Sequence, residues 1–186
     1  MKRYLKYCFA VLGTVILFLP NISAQEANRD QEFLTKAVSS NQFEIALGTQ
    51  ALNQSENEEI KQYGQMLVND HTKVLEELEE AAMSKKLVVP DGMEEDQASI
   101  LKSLSVLTGT DFDRAFKDVA VKMHENAIAL FENASNNLND EEFRSWAAEK
   151  VPSLRSHLEK AKELQVTSSE SHISSHSMEG DSIETL

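Results

Sequence analysis

Five residues of this chain have chemistry to offer: His71, His124, His157, Glu44 and Asp70. The three histidines and Glu44 each fall on the apolar stripe of an amphipathic helix pattern, where a hydrophobic side chain belongs. Around His71 that stripe runs through Ile60, Tyr63, Leu67, Val74, Leu78 and Ala81. Imidazoles buried together have two uses. They are polar core groups bonded to one another, to Tyr63 or to buried water, or they hold a single transition metal ion with a carboxylate from Glu44 or Asp70. Zinc or iron is the first expectation, and copper also suits imidazole donors. An unpaired buried polar group costs about 1–3 kcal/mol, so partners must exist in either case. Asp70 points about 100° around the helix from His71. It either orients a neighbouring imidazole or pairs with Lys73 on the surface.

Other chemistries find no support. Ferritin-like di-iron sites draw a glutamate from two helices and Glu-x-x-His from the other two. Three residues before the histidines stand Val68, Val121 and Leu154, so the double Glu-x-x-His signature is absent and a di-iron centre is disfavoured. Nothing sets a serine against a histidine with an oxyanion donor, glycine-rich phosphate loops are missing, and no catalytic residue is assigned. The spacing of His172 and His176 in a serine-rich tail is read as chance. The only cysteine, Cys8, lies in the amino-terminal apolar run, so no disulfide or thiol chemistry is expected of the remainder.

Met1 to Ala24 has the outline of a secretory signal: Lys2, Arg3 and Lys6, an apolar run from Cys8 to Leu19, and small residues before Gln25. Retention as an anchor is the alternative, although the run is short of the ~20 residues of a membrane span. The chain's net charge is −13, and this segment carries three basic and no acidic residues, leaving −16 on the rest. Nucleic acid and anionic lipid surfaces are poor partners for such a surface, and any partner is expected to be another protein.

Helical periodicity places five elements to carry the site. The first spans Asp30 to Leu52, and Gly48 inside it calls for a close helix contact. Ser55 to Glu58 reads as a capping box opening the second helix, which runs to about Lys86. After Pro90 and Gly92 a shorter helix is expected from Met93 to Leu107, opened by Asp91 and Glu94, as the crossover of a bundle. The fourth spans Asp111 to Leu138; the fifth is capped by Asn139 and Glu142 and should bend at Pro152. Residues 30–165 thus read as an all-α, ferritin-like four-helix bundle with a short extra helix in its crossover. Residues 166–186 read as a disordered, serine-rich acidic tail.

Counting from the connections tests whether the polar residues meet. About Asn139, His124 and His157 differ in level by only ~5 Å at 1.5 Å rise per residue, so they share a layer. About Gln54, Glu44 and His71 differ by ~10 Å, so Glu44 meets His71 only if the helices stagger.

The runs Asp30-Gln31-Glu32-Phe33-Leu34, Glu44-Ile45-Ala46-Leu47-Gly48 and Met66-Leu67-Val68-Asn69-Asp70-His71-Thr72 together resemble the bacterial domain-of-unknown-function 4142 family. Phe112-Asp113 with His124, and Val151-Pro152-Ser153-Leu154 with His157, extend the resemblance over residues 30–165. It implies an exported ferritin-like domain, in proteins often labelled outer membrane proteins, with no established activity. The expected function is that of a non-catalytic envelope or periplasmic protein that binds a partner or serves under stress. The alternative is a metal-binding or redox protein using the histidine layer.

Overall fold

The computed structural model describes residues 22–166, with side chains from Arg29 onward. All but the last three residues of the expected signal segment, and the tail from Thr167, lie outside the described residues. The order is α1 (Ile22–Gln54), α2 (Glu58–Lys85), α3 (Glu95–Leu104), α4 (Gly109–Asn137) and α5 (Glu141–Glu163). Among the described residues there is no strand, and no helix is long and apolar enough to cross a membrane. Short connections make α1 and α2 one hairpin and α4 and α5 another, with the crossover and α3 joining the two. This is the expected ferritin-like bundle with its extra helix.

Helix ends differ from the sequence reading for local reasons. Asn57, not Ser55, caps α2, its side chain accepting from the Glu59 amide at 2.9 Å. Ser55 is buried instead: its hydroxyl donates to Asp113 Oδ1 at 2.5 Å and accepts from the Asn57 amide at 3.0 Å. That tie fixes the first connection to α4, a long-range demand no capping rule foresees. Asp140 caps α5 by accepting from the Phe143 amide at 2.9 Å, where Asn139 was expected. In α3 the box is made by Glu94 and Gln97, not Asp91 and Glu94; Gln97 Oε1 accepts from the Glu94 amide at 3.0 Å and from Ser39 at 2.6 Å. α5 remains helical through Pro152, which is exposed, so the carbonyl one turn back that loses its amide partner faces water.

Gly48 has the close contact its position calls for. A β-carbon there would fall inside the contact distance of the Gly64 carbonyl oxygen, and one on Gly64 would lie 2.7 Å from Ala51 Cβ. α1 and α2 therefore meet backbone to backbone. Gly48→Ala is expected to lower stability by about 1–3 kcal/mol through overpacking, against the ~1 kcal/mol that alanine gains in helix propensity. The check is a lower urea midpoint at unchanged slope; an equal or higher midpoint would show that the two helices separate freely.

The core has two apolar halves. One gathers Phe33, Leu34, Leu78, Ile128, Phe131 and Phe143; the other Phe43, Leu47, Ile60, Leu67, Phe112 and Phe116. Between them every long helix contributes a polar residue: Asn41 and Glu44 from α1, His71 from α2, His124 from α4 and His157 from α5, all buried. Two apolar halves of this size secure the helices on both sides of the layer, so the polar side chains are held in fixed positions.

Candidate metal centre

Each histidine comes from a different helix, and the bundle brings the three rings together. Centroids lie 5.4 Å apart for His124 and His157, 5.6 Å for His71 and His157, and 5.8 Å for His71 and His124. One ring nitrogen from each lies within 4.8 Å of the others. Relative exposure is 5 % for His71, 0 % for His124 and 5 % for His157, so water is all but excluded.

Each ring spends one nitrogen on an acceptor outside the cluster. His71 Nδ1 is 2.8 Å from Asn41 Oδ1, His124 Nδ1 is 2.9 Å from the Ala120 carbonyl, and His157 Nε2 is 3.2 Å from Asp70 Oδ2. The Asn41 amide is itself oriented, because its Nδ2 donates to the Ala37 carbonyl at 2.7 Å. An oxygen acceptor needs an N–H opposite it, so these bonds put the imidazole hydrogens on the outer nitrogens. The lone pairs are then on His71 Nε2, His124 Nε2 and His157 Nδ1. All three are buried, and none has a hydrogen-bond partner.

A core built only for packing pairs its buried polar atoms. Here three neighbouring nitrogens are left over together, each on a ring whose tautomer is fixed from behind, which is how metal-binding histidines are held. Three nitrogens on one ion at ~2.0–2.1 Å lie at most ~4 Å from one another. Small ring movements suffice to close the cluster on an ion. The residues therefore fit a single transition metal.

Electrostatics keeps the rings neutral. Burial drives the His71 imidazole well below its ordinary pKa, with the neighbouring His124 and His157 adding to the effect. Burial likewise lowers His124 to about 4, opposed by its bond to the Ala120 carbonyl. His157 is lowered by burial as well, with Asp70 opposing. Neutral imidazole is the form that binds metal.

The carboxylates stand behind the rings rather than among the donors. Glu44 Oε1 is 3.8 Å from His124 Nδ1, the nitrogen already committed to Ala120. Both its oxygens are buried without partners, and burial pushes its pKa up to about 8, so it is mainly protonated at neutral pH. Asp70 touches the outer nitrogen of His157 and also pairs with Lys73 at 3.6 Å, so both of its expected roles occur. Tyr63 does not bond to an imidazole; its hydroxyl donates to the His157 backbone carbonyl at 3.1 Å, and its ring lies edge-on to His124.

Sequence reasoning missed Asn41, which completes the His71 side of the site. A signal was available in the level count: Asn41 is 13 residues before Gln54 and His71 is 17 after, nearer in level than Glu44.

Two solved structures share the fold, each 22 % identical to this chain and covering 72 % of it. One is described as CopM in the Cu(II)-bound form, with a TM-score of 0.61 and 93 % of that chain covered. The other is CopM in the Ag-bound form, obtained by co-crystallization, with a TM-score of 0.59 and 92 % covered. No curated protein matches significantly. The family profile described as "Domain of unknown function (DUF4142)" matches residues 20–164, and the chain belongs to that family.

Proposed function

We propose that this is an exported, non-catalytic metal-binding protein that holds one copper ion on His71, His124 and His157. The observation that carries the reading is the set of three neighbouring buried nitrogens, each unpartnered while its ring is oriented from behind. The signal-like amino-terminal segment supports export.

Three arguments favour copper over the zinc or iron first expected. Imidazole sites bind copper most tightly among the first-row divalent ions. The three donors are neutral and Glu44 is mainly protonated at neutral pH, so a monovalent ion costs far less to bury than a divalent one, which favours Cu(I). A zinc site with three protein ligands keeps a fourth position for water, whereas here the donor nitrogens are shut away from solvent. The same enclosure supports binding rather than turnover, because the three donor nitrogens are covered in the resting protein. The fold relatives described with copper and silver bound agree with this choice.

The test is metal analysis of mature protein purified without a histidine tag after exposure to copper. One equivalent of copper per chain, lost when the histidines are replaced, is the expected result. A protein that stays metal-free and folded in chelator would return the layer to a packing role.

A further inference from the structure

An enclosed ion needs a way in. On the α1 side the cluster is shut by the buried Asn41–His71 bond, with Asn41 anchored to Ala37. His124 is fully buried against its own helix at Ala120, with Glu44 behind it. Tyr63, Phe116 and Leu67 close the layer from one apolar half. The remaining side is different. α1 packs backbone-close along α2 and α4 along α5, whereas α2 and α5 meet through side chains, among them Tyr63–His157, Asp70–His157 and Glu77–Trp146, and a pocket of about 310 Å³ opens between them. Its wall includes Asn41, His71 and His157 but not His124; Asp70 and Ser153 lie around it, and the Glu77–Lys150 ion pair bridges the two helices beside it.

The ring holding this side is also the least firmly tied. The His157–Asp70 contact, at 3.2 Å, is the longest of the three that orient the imidazoles. Its acceptor has a side chain 41 % exposed and shared with Lys73, whereas Asn41 is buried and the Ala120 acceptor is helix backbone. Water competes for an exposed acceptor and weakens such a bond. Breaking it frees the His157 ring to turn about its side-chain bonds, and turning that ring uncovers the donors from the pocket.

We propose that the pocket between α2 and α5 is the route by which the ion reaches and leaves the histidines, with the His157–Asp70 pair as its gate. This rests on the copper reading above. A route sets rates in both directions and leaves the equilibrium alone, which separates the pocket from a residue that shapes the site; Asp70, which also holds the His157 ring, affects both.

The experiment follows Cu(I) transfer under anaerobic conditions in both directions between the mature protein and a coloured Cu(I) chelator, read by the chelator's absorbance. Ser153→Trp places a large ring in the pocket from an exposed position on α5. It is expected to slow uptake and release alike by at least about tenfold, with the equilibrium distribution of copper changed less than about twofold. Asp70→Asn is expected to speed release, with a loss of equilibrium affinity beside it because Asp70 also orients the His157 ring. Ser40→Phe, from the α1 wall of the same pocket, serves if the tryptophan variant does not fold. Pocket-filled protein that loads and releases at the wild-type rates would overturn the route. So would a loss of equilibrium affinity with release as fast as before. Wild-type protein that takes up no Cu(I) removes the copper reading and the route with it, a result distinct from normal uptake with unaltered rates.

Discussion

His124→Leu reverses its rank against the wild type when copper is added. In chelator the variant is the more stable protein, because the substitution removes a fully buried nitrogen that has no partner. Such an atom costs about 1–3 kcal/mol, and leucine fills a similar volume with apolar surface that the adjoining core accepts. The Ala120 oxygen is not orphaned, since the helix still supplies it with the amide four residues on. With free copper at a thousand times the dissociation constant, the wild type gains about 4 kcal/mol by mass action. The variant, short of one of three donors, gains little. Urea denaturation of both proteins, in chelator and in copper, gives the four values needed. An unchanged ranking across the two conditions would mean that the histidines are packing residues and the ion is irrelevant to them.

The helices were legible because each buries one continuous face. Phe112, Phe116, Ala127, Phe131 and Ala134 keep the three-and-four spacing along α4, and all are buried. Their ends were less legible. Ser55 has the residue type of an N-cap and a glutamate three residues on, yet Asp113 lies 58 positions away in sequence and takes its hydroxyl. A local rule is overridden whenever a buried carboxylate needs a donor more than a helix end does. Asp140 and Asn57 are also ordinary capping types, displaced by one or two positions from the residues first read.

The site was legible to the extent that it depends on levels along helices. His124 and His157 were placed in one layer by counting from their connection, and their rings are 5.4 Å apart. Glu44 was counted out of reach of His71, and it sits instead beside His124, near Tyr63, whose phenol burial and the Glu44 charge both hold above its ordinary pKa. What counting cannot give is the direction of a ring. Glu44 and Asp70 were candidates for ligands because carboxylates near histidines often are. Their position behind the rings follows from the rotamers that the Ala120 carbonyl and the bundle surface impose.

The same geometry makes the metal-free protein sensitive to pH in both directions. All three histidines have folded pKa values below the ordinary 6.5, with His124 at about 4. Their contribution to stability is therefore complete about one unit above pH 6.5, where the unfolded imidazoles are neutral too. It is lost as pH falls through that value, because the unfolded chain takes up protons that the folded one refuses. Glu44 acts with the opposite sign. Its pKa is raised from 4.5 to about 8, so between those values the folded protein keeps a proton the unfolded chain has released, and stability falls as pH rises. Each proton is worth about 1.4 kcal/mol per pH unit. Near pH 5 His71 and His124 alone outweigh one glutamate, a net of at least about one proton, so stability climbs by about 1–2 kcal/mol per unit towards neutrality. At pH 6.5 the unfolded imidazoles are still half protonated, so the two trends balance between about pH 6.5 and 7; above about pH 7.5 Glu44 dominates, and stability declines by roughly 0.5 kcal/mol per unit. Urea midpoints measured in chelator from pH 5 to 8.5 should thus pass through a maximum between about pH 6.5 and 7. Glu44→Gln should abolish the decline above it and leave the acid limb in place, because the amide neither titrates nor alters the histidines' burial. A wild-type curve that keeps rising from pH 7 to 8 would mean that Glu44 ionises in place, with a partner found in its surroundings and a charge standing behind His124.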